Sequence, residues 1–299
     1  MLTGIITALV TPMHENGEID YISLDKILML QIEAKVTGVV IAGTTGEGVQ
    51  LEDNEKINLI KYVISKVAGK IKIILGFSDF STQRIISVVQ QINMLNGLDY
   101  LLIAVPPYIK PTQQGLYLHY SNIARNSHIP IILYDVPSRT ITGLDVATVV
   151  KLSNEYNNIV AIKDATGDML KLNQLILNCD KNFSYLSGDD PTFLSFMSCG
   201  GCGIISVASN IVPKLFVKMY ELLNSNCNEQ AQTINADIIP LYNLLFIESN
   251  PIPVKWLAYK AGIISTPNLR LPLTVLSAIN QNKMEQVLKT VLSKEHEII

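Results

Sequence analysis

Eight short stretches rich in β-branched residues recur along the chain, and an amphipathic segment of helical length follows each one. Such a repeat predicts a parallel sheet with right-handed crossovers, which leaves few possible folds. The strands are predicted at residues 5–10, 38–42, 71–76, 100–105, 131–136, 159–163, 184–188 and 203–207. The helices are predicted at 23–34, 54–67, 82–95, 114–126, 144–154, 168–178, 192–197 and 213–223. Eight such units indicate an α/β protein with a closed (β/α)8 TIM barrel.

An open, doubly wound sheet is the alternative fold, because strand counting from a single sequence is error-prone. A nucleotide-binding sheet of that type would need a G-x-G-x-x-G turn, and neither glycine-rich turn, at 43–48 or 200–203, has this spacing. Beyond residue 225 the strand pattern ends and helical patterns continue at 229–247, 253–261 and 273–292. We therefore expect a catalytic barrel at 1–225 and a helical C-terminal extension at 226–299.

Composition excludes several classes of protein. Hydrophobic residues make up 48% of the 299 residues and charged residues 16%, which suits a large buried core and not a disordered chain. With a net charge of −3 and no basic run, nucleic acid and anionic membrane surfaces are not expected as partners. The apolar N-terminus lacks a basic segment and a cleavage site, and no apolar run is long enough to cross a bilayer. We expect a cytoplasmic protein.

The four cysteines include a C-x-x-C pair, Cys199 and Cys202. This spacing raises zinc or redox chemistry, but no second pair or histidine cluster completes a metal site. Small buried thiols beside close-packed glycines are the favoured interpretation. No metal and no cofactor are therefore predicted.

Reactive residues of a barrel of this type lie at the C-terminal ends of the strands, and Lys163 ends the sixth. Alternation along the strand places Ala161, Lys163 and Ala165 on the inner face, and Val160 and Ile162 on the helix side. A desolvated lysine loses its proton more readily, and the neutral amine attacks a carbonyl to form an imine. The alternative is a solvent-facing lysine, or one paired with an aspartate from the set Asp164, Asp189 and Asp190.

Imine chemistry also requires proton transfer, and three hydroxyl residues stand at other strand ends: Thr44, Tyr108 and Tyr134. Tyr134 is predicted one strand from Lys163 at the same level of the barrel. A tyrosine at such a position can also be a packing residue. The occurrence of three hydroxyls around an inward lysine favours a relay.

Donors for substrate carboxylates are available from Thr44, Thr45 and the backbone of the turn at 43–46. Arg139, just after strand five, is positioned to hold a second carboxylate, although a surface arginine is the alternative. Glu47 is interpreted as a structural tie at the top of the barrel. Gly188 is expected where a side chain would crowd an imine.

Six motifs occur in order at these strand ends: GTTGE at 43–47, PPYIKPTQQGLYLHY at 106–120, YDVPSRT at 134–140, IKDATGD at 162–168, SGDD at 187–190 and NPIPVK at 250–255. From about residue 3 to 272, the sequence resembles the dihydrodipicolinate synthase family, class I pyruvate lyases that include N-acetylneuraminate lyase. The resemblance implies condensation of pyruvate with L-aspartate 4-semialdehyde on the route to diaminopimelate and lysine. It also implies a homotetramer built from tight dimers, without metal.

The same resemblance implies roles for individual residues. Lys163 would form the imine with pyruvate, and Tyr134 would be the main proton-transfer group. Thr44 and Tyr108 would complete the relay, with Tyr108 entering from the neighbouring subunit. The substrate-binding set implied by the family comprises Thr45 for the pyruvate carboxylate, Arg139 for the semialdehyde carboxylate, and Gly188 and Ile205 on strands seven and eight.

The sequence departs from the family pattern in two places. Asp135 and Ser138 occupy turn positions where many members have Asn and Gly, and further differences lie in a pocket at the dimer interface. Some members bind lysine there as a feedback inhibitor. The corresponding positions here are Gly48, Asp53, Lys56, Phe80, Arg84 and Pro107. Because Arg84 replaces a carboxylate and would repel the lysine ammonium, we predict weak or absent inhibition by lysine.

Two other functions compete with this prediction. A sister aldolase, such as N-acetylneuraminate lyase or a 2-keto-3-deoxy sugar acid aldolase, would use the same imine with a different second substrate. Arg139 after VPS and the double threonine of GTTGE favour the synthase. A catalytically silent relative with a binding or regulatory role would have lost Lys163 or a relay hydroxyl, and none is lost.

Overall fold

The computed structural model describes residues 1–298. Eight parallel strands form a closed barrel in chain order, with the eighth strand paired to the first. The strands are β1 (Gly4–Ala8), β2 (Gly38–Ile41), β3 (Lys72–Phe77), β4 (Tyr100–Ala104), β5 (Ile131–Asp135), β6 (Ile159–Asp164), β7 (Ser184–Ser187) and β8 (Gly203–Ser206). The TIM barrel expected from the repeat is thus confirmed, and the open sheet is wrong.

Eight of the helices belong to the barrel units, and one short helix interrupts the pattern. The helices are α1 (Tyr21–Glu33), α2 (Asp53–Val67), α3 (Thr82–Ile92), α4 (Gln113–Asn126), α5 (Pro137–Thr140), α6 (Val146–Glu155), α7 (Met169–Asn178), α8 (Phe193–Ser198) and α9 (Pro213–Asn224). Helix α5 is the unpredicted one, since four residues are too few to show a helical period. Polar caps begin several helices; the Asp168 carboxylate, for example, accepts the backbone N–H of Lys171 at 3.0 Å.

Alternation along the strands divides the apolar core into two layers. Residues inside the barrel, such as Ile6, Ile74, Leu102 and Leu186, form one cluster. The opposite faces of the strands pack against the surrounding helices in a second and much larger cluster. Both faces of every strand are therefore buried, which explains why the strands read as continuous apolar runs.

The predicted orientation of Val160 is wrong. The register of β5 and β6 shifts here, so that Ile131 pairs with Ile159 but Ile132 pairs with Ala161. Val160 is the extra residue of this irregularity, and it packs against the interior cluster. Ile162 lies on the helix side as expected. From Ala161 onward the predicted alternation holds, which places Tyr134 level with Lys163.

The extension after the barrel contains three helices, α10 (Asn228–Leu245), α11 (Ile252–Lys260) and α12 (Ala278–Glu297). Helix α12 begins later than the predicted residue 273, because Ser277 is extended and bonded to Glu248. The carboxylate of Glu295 accepts the backbone N–H groups of Lys214 and Leu215, which joins α12 to the start of α9. Of the helices within residues 1–298, none is both long and apolar enough to span a bilayer.

Candidate active site

A cavity of about 210 Å³ opens at the C-terminal end of the barrel. Six of the eight residues predicted for the site line it: Thr44, Thr45, Tyr134, Arg139, Lys163 and Gly188. Five of these residues lie at or just after the ends of β2, β5, β6 and β7, and Arg139 lies in the short helix α5 that follows β5. The arrangement is the usual location of reactive groups in this fold.

The remaining two residues lie elsewhere in this chain. Tyr108 is 86% exposed, at a left-handed backbone position with a φ of 72°, and it does not line the cavity. Ile205 is buried inside the barrel, within the interior cluster, and is not on the cavity wall either. A role for Tyr108 therefore requires another subunit, and a role for Ile205 would be one of support.

Lys163 and Tyr134 face each other across neighbouring strands. They are register partners, and Lys163 Nζ lies 4.3 Å from the centre of the Tyr134 ring. Both side chains are largely buried, with Lys163 5% exposed. An amine and a phenol are therefore held close together in a confined space at the end of the barrel.

The aspartates near Lys163 are engaged with other groups. Asp164 lies near Lys171 Nζ, Asp189 accepts the hydroxyl of Thr192 at 2.7 Å, and Asp190 accepts the backbone N–H groups of Val207 and Ala208 at 3.0 Å. No carboxylate within residues 1–298 lies within 4.0 Å of the Lys163 amine. The alternative of a strand-end lysine in an ion pair is therefore not what the structure contains.

Asp190 is a buried carboxyl that holds one segment of the cavity wall in place. It is almost fully buried, and burial raises the pKa of this carboxyl to about 6. Its two backbone hydrogen bonds fix the turn after β8, where Val207 forms part of the cavity wall.

Gly188 leaves room for the lysine side chain. A Cβ at this position would lie 2.9 Å from Lys163 Cε and 2.8 Å from the Cβ of Ala165. Both distances are shorter than normal carbon contacts, so any larger residue would displace the amine or the strand. The expectation that glycine is needed here for space agrees with this geometry.

The turn after β2 presents two threonines to the cavity. Thr44 is half-buried, whereas Thr45 is buried and accepts a hydrogen bond from the Asn250 amide at 3.0 Å. A Cβ on Gly48 would lie 1.7 Å from the Ala42 carbonyl oxygen, so only glycine permits this tight turn. The conformation of Thr44 and Thr45 therefore depends on the hydrogen bond from Asn250 and on the close approach of Gly48 to Ala42.

The extension supplies residues that sequence reasoning did not assign to the site. Asn250 and Phe246 line the cavity, and the Asn250 carbonyl oxygen accepts a hydrogen bond from Arg139 Nη2 at 3.1 Å. Asn250 therefore connects Thr45 to Arg139. The only sequence signal for it was the NPIPVK motif at 250–255, since a contact across 205 positions leaves no trace in local periodicity.

Glu47 forms a buried ion pair with Lys255 at 2.5 Å, and both side chains are inaccessible to water. The second carboxylate oxygen accepts the backbone N–H of Arg270 at 2.9 Å. Burial lowers the pKa of Lys255, and the neighbouring carboxylate acts in the opposite direction. Glu47 thus ties the threonine turn to α11, in line with the structural role expected for it.

The cysteines offer no evident ligand set. Cys202 Sγ accepts the backbone N–H of Tyr185 at 3.5 Å, and a Cβ on the adjacent Gly201 would lie 2.2 Å from the Phe196 ring. In the part of the chain that the structure describes, no three His, Cys, Asp or Glu side chains form a group that could hold a metal ion. Cys199 and Cys202 are half-buried and pack against the main core cluster, so these thiols are less buried than expected.

Comparison with known proteins identifies relatives over the whole length. The model of the dihydrodipicolinate synthetase family matches residues 1–291. A 4-hydroxy-tetrahydrodipicolinate synthase from Laribacter hongkongensis is 40% identical over 289 residues, covering 97% of this chain and 98% of the relative.

Solved structures agree with this relationship. The 4-hydroxy-tetrahydrodipicolinate synthase of Methylacidiphilum fumariolicum superimposes with a TM-score of 0.95 at 36% identity, covering 100% of this chain and 98% of that one. The chloride-inhibited dihydrodipicolinate synthase of Acinetobacter baumannii, solved with pyruvate, gives 0.93 at 40% identity, with both chains fully covered. The chain therefore belongs to the dihydrodipicolinate synthetase family.

Proposed function

We propose that the chain is a 4-hydroxy-tetrahydrodipicolinate synthase, a class I lyase that condenses pyruvate with L-aspartate 4-semialdehyde in diaminopimelate and lysine biosynthesis. The observation that carries this proposal is the buried amine of Lys163, which lies 4.3 Å from the centre of the Tyr134 ring and has no carboxylate of residues 1–298 within 4.0 Å. The full-length relationship to synthases bearing this name supports the choice of reaction.

In the proposed mechanism, the neutral Lys163 amine attacks the ketone of pyruvate and forms a carbinolamine. Loss of water gives a protonated imine, which withdraws electrons from the adjacent methyl carbon. Removal of a proton from that carbon yields an enamine, and the enamine carbon attacks the aldehyde of the second substrate. Water then hydrolyses the imine, or the product amine displaces Lys163, so that the enzyme amine is regenerated.

Each of these steps moves a proton, and Tyr134, whose ring centre lies 4.3 Å from Lys163 Nζ, is placed to carry one. Thr44 lines the same cavity, and a smaller adjoining space is also lined by both Thr44 and Tyr134. We assign these two hydroxyls to the relay. Tyr108 would join it from a neighbouring subunit, which fits its 86% exposure in the isolated chain.

The carboxylates of the two substrates require separate donors. Thr45 is assigned to the carboxylate of pyruvate and Arg139 to that of the semialdehyde, and both line the cavity that contains Lys163. Asn250 bonds to both residues and would fix the distance between the two binding positions. Gly188 would leave room for the imine, and Ile205 would support the floor of the cavity.

A homotetramer of tight dimers, a cytoplasmic location and the absence of a cofactor belong to the same proposal.

Weak or absent inhibition by lysine also stays a prediction. It is supported by Arg84, whose exposed guanidinium would repel the lysine ammonium, although Asp79 lies 3.4 Å from it. The division into a barrel at 1–225 and an extension at 226–299 is proposed as a description of the chain, although residues of both parts line the cavity.

The reaction is tested by supplying the purified enzyme with pyruvate and L-aspartate 4-semialdehyde and measuring the cyclic product. In parallel, the enzyme is incubated with N-acetylneuraminate and with 2-keto-3-deoxy sugar acids, and pyruvate release is measured. We expect condensation and negligible cleavage. Robust cleavage of a sugar acid without condensation would identify a sister aldolase instead.

A further inference from the structure

Two aspartates and one lysine form a buried cluster behind the wall of the active site. Asp135 and Asp164 are register partners on β5 and β6, one residue beyond Tyr134 and Lys163. Since successive strand residues face opposite sides, the carboxylates lie on the helix side of the same wall. Asp135 is fully buried, Asp164 is 4% exposed, and Lys171 of α7 is 12% exposed.

The Lys171 ammonium faces both carboxylates. It contacts Oδ2 of Asp135 directly, and it lies 3.6 Å from Oδ2 of Asp164. The other oxygens are bonded to backbone, with Asp135 Oδ1 accepting from Leu144 and Asp164 Oδ1 accepting from Thr166. Within residues 1–298, Asp164 Oδ2 has no hydrogen bond of its own, and Lys171 is the only cation in an ion pair with either aspartate.

Other titratable groups around the cluster do not supply positive charge. Tyr120 of α4 lies near Asp135, and burial raises the pKa of this phenol well above its ordinary value. Asp168 caps α7 by accepting the Lys171 backbone N–H. The cluster therefore has two carboxylates and one cation, and loss of the cation would leave two like charges facing each other.

Neighbouring strands are about 4.8 Å apart, so carboxylates on partner residues repel strongly when buried. Burial already raises the pKa of Asp135, and the charge of Lys171 opposes that effect. Without Lys171, the strands would separate or one carboxylate would take up a proton. Separation of the strands would displace the two residues that precede the aspartates, Tyr134 and Lys163, whereas uptake of a proton would relieve the repulsion and leave them in place.

We propose that Lys171 is a positioning residue for the Schiff-base reaction. Its ammonium offsets Asp135 and Asp164, and it thereby holds β5 and β6 in the register that brings the Lys163 amine beside the Tyr134 phenol. This inference rests on the proposed function, because the positioning is measured through imine formation at Lys163.

The test compares Lys171→Met with the unmodified enzyme by the rate of borohydride-trapped pyruvate adduct at Lys163, across pH. At about pH 9 the variant should be slower by about tenfold or more, since two ionised carboxylates face each other. At about pH 6 the ratio should approach one, because a proton shared by the pair replaces the ammonium. If the substitution merely destabilised the protein, the trapping rate of the variant relative to that of the unmodified enzyme would be low at every pH.

Further variants keep the test decisive if Lys171→Met folds poorly. Asp135→Asn/Lys171→Met removes one charge of each sign and should trap pyruvate within about tenfold of the unmodified enzyme, with no fall at high pH. Lys171→Arg should be similar to the unmodified enzyme. Lys181→Met, at an exposed turn, is the matched control and should change nothing.

The outcomes separate this inference from the proposed function. If the unmodified enzyme traps pyruvate but Lys171→Met traps it equally fast at pH 9, the positioning role is refuted and the function stands. A double variant that folds but is slowed beyond tenfold also refutes the role. If the unmodified enzyme traps no pyruvate at Lys163, the proposed function fails, and the positioning role fails with it.

Discussion

Lys163 Nζ lies 4.3 Å from the centre of the Tyr134 ring, and the two residues are partners across neighbouring strands. This pairing depends on the irregularity at Val160, because an unshifted register from Ile131 and Ile159 would place Ile162, not Lys163, beside Tyr134. The proton-transfer role proposed for Tyr134 follows from that proximity, and it can be separated from the packing role of the ring.

Tyr134→Phe keeps the ring and removes the hydroxyl. The contact of the Tyr134 ring with Lys163 Nζ is kept by phenylalanine, so we expect unfolding by heat to be almost unchanged. Turnover should fall by about 10²–10⁴-fold, the usual effect of losing a general acid–base group. Tyr100→Phe, at the opposite end of the barrel, is the control. Near-normal turnover of Tyr134→Phe would mean that another group moves the proton.

Gly188→Ala tests the space around the imine. The added Cβ would lie 2.9 Å from Lys163 Cε, and overpacking of this kind typically costs about 1–3 kcal/mol. We expect the adduct with pyruvate to form about tenfold more slowly. The rate is measured by adding borohydride at timed intervals and determining the fraction of modified protein by mass spectrometry. Gly115→Ala in α4, where the nearest contact would be an ordinary 3.4 Å, should leave the rate unchanged. Equal rates for both variants would remove the steric argument.

Lys255→Met should destabilise the protein because it leaves Glu47 buried and unpaired. Breaking such a pair typically costs about 3–5 kcal/mol, whereas replacing both partners by uncharged residues costs less. We therefore expect Glu47→Gln/Lys255→Met to recover part of the free energy of unfolding, measured in urea.

Lys260→Met, which breaks an exposed pair with Glu285, is the matched control and should change the free energy of unfolding little, because water screens the pair. The urea curve should contain one transition for all variants if the extension unfolds with the barrel. A separate early transition would instead show that residues 226–299 unfold independently.

Glu295 gives the stability a pH dependence of defined sign. Burial raises the pKa of this carboxyl from 4.5 to about 7, so the folded state holds a proton that the unfolded state releases. Its contribution is complete below about pH 4.5 and is lost as the pH rises through about 7, a change of about 3 kcal/mol. Glu295→Gln should flatten the decline in stability across this window. An unchanged slope, equal to that of the exposed Glu221→Gln control, would contradict this assignment.

Local patterns predicted most of the fold. The eight strand positions agree with the structure to within about two residues, because a strand buried on both faces has a recognisable apolar run. Alternation from Ala161 was sufficient to place Lys163 inside the barrel. The irregularity at Val160 was not predictable, since an extra residue in one strand depends on how its neighbour pairs.

Parts of the site could not be found from the sequence, because they depend on contacts between distant segments. Asn250 meets Thr45 across 205 positions, and Lys171 meets Asp135 across 36. Neither contact produces a local pattern. Tyr108 illustrates another limit, because it is 86% exposed in the single chain and its proposed role depends on a neighbouring subunit.

The most direct test of the central claim is the mass of the peptide that contains Lys163 after the enzyme is reduced with borohydride in the presence of pyruvate. We predict one reduced pyruvate adduct on that peptide, none without pyruvate, and none in Lys163→Ala. Isotopically labelled pyruvate should shift the adduct mass by the label. An unmodified Lys163 peptide, or an adduct on a different lysine such as Lys255, would contradict the account.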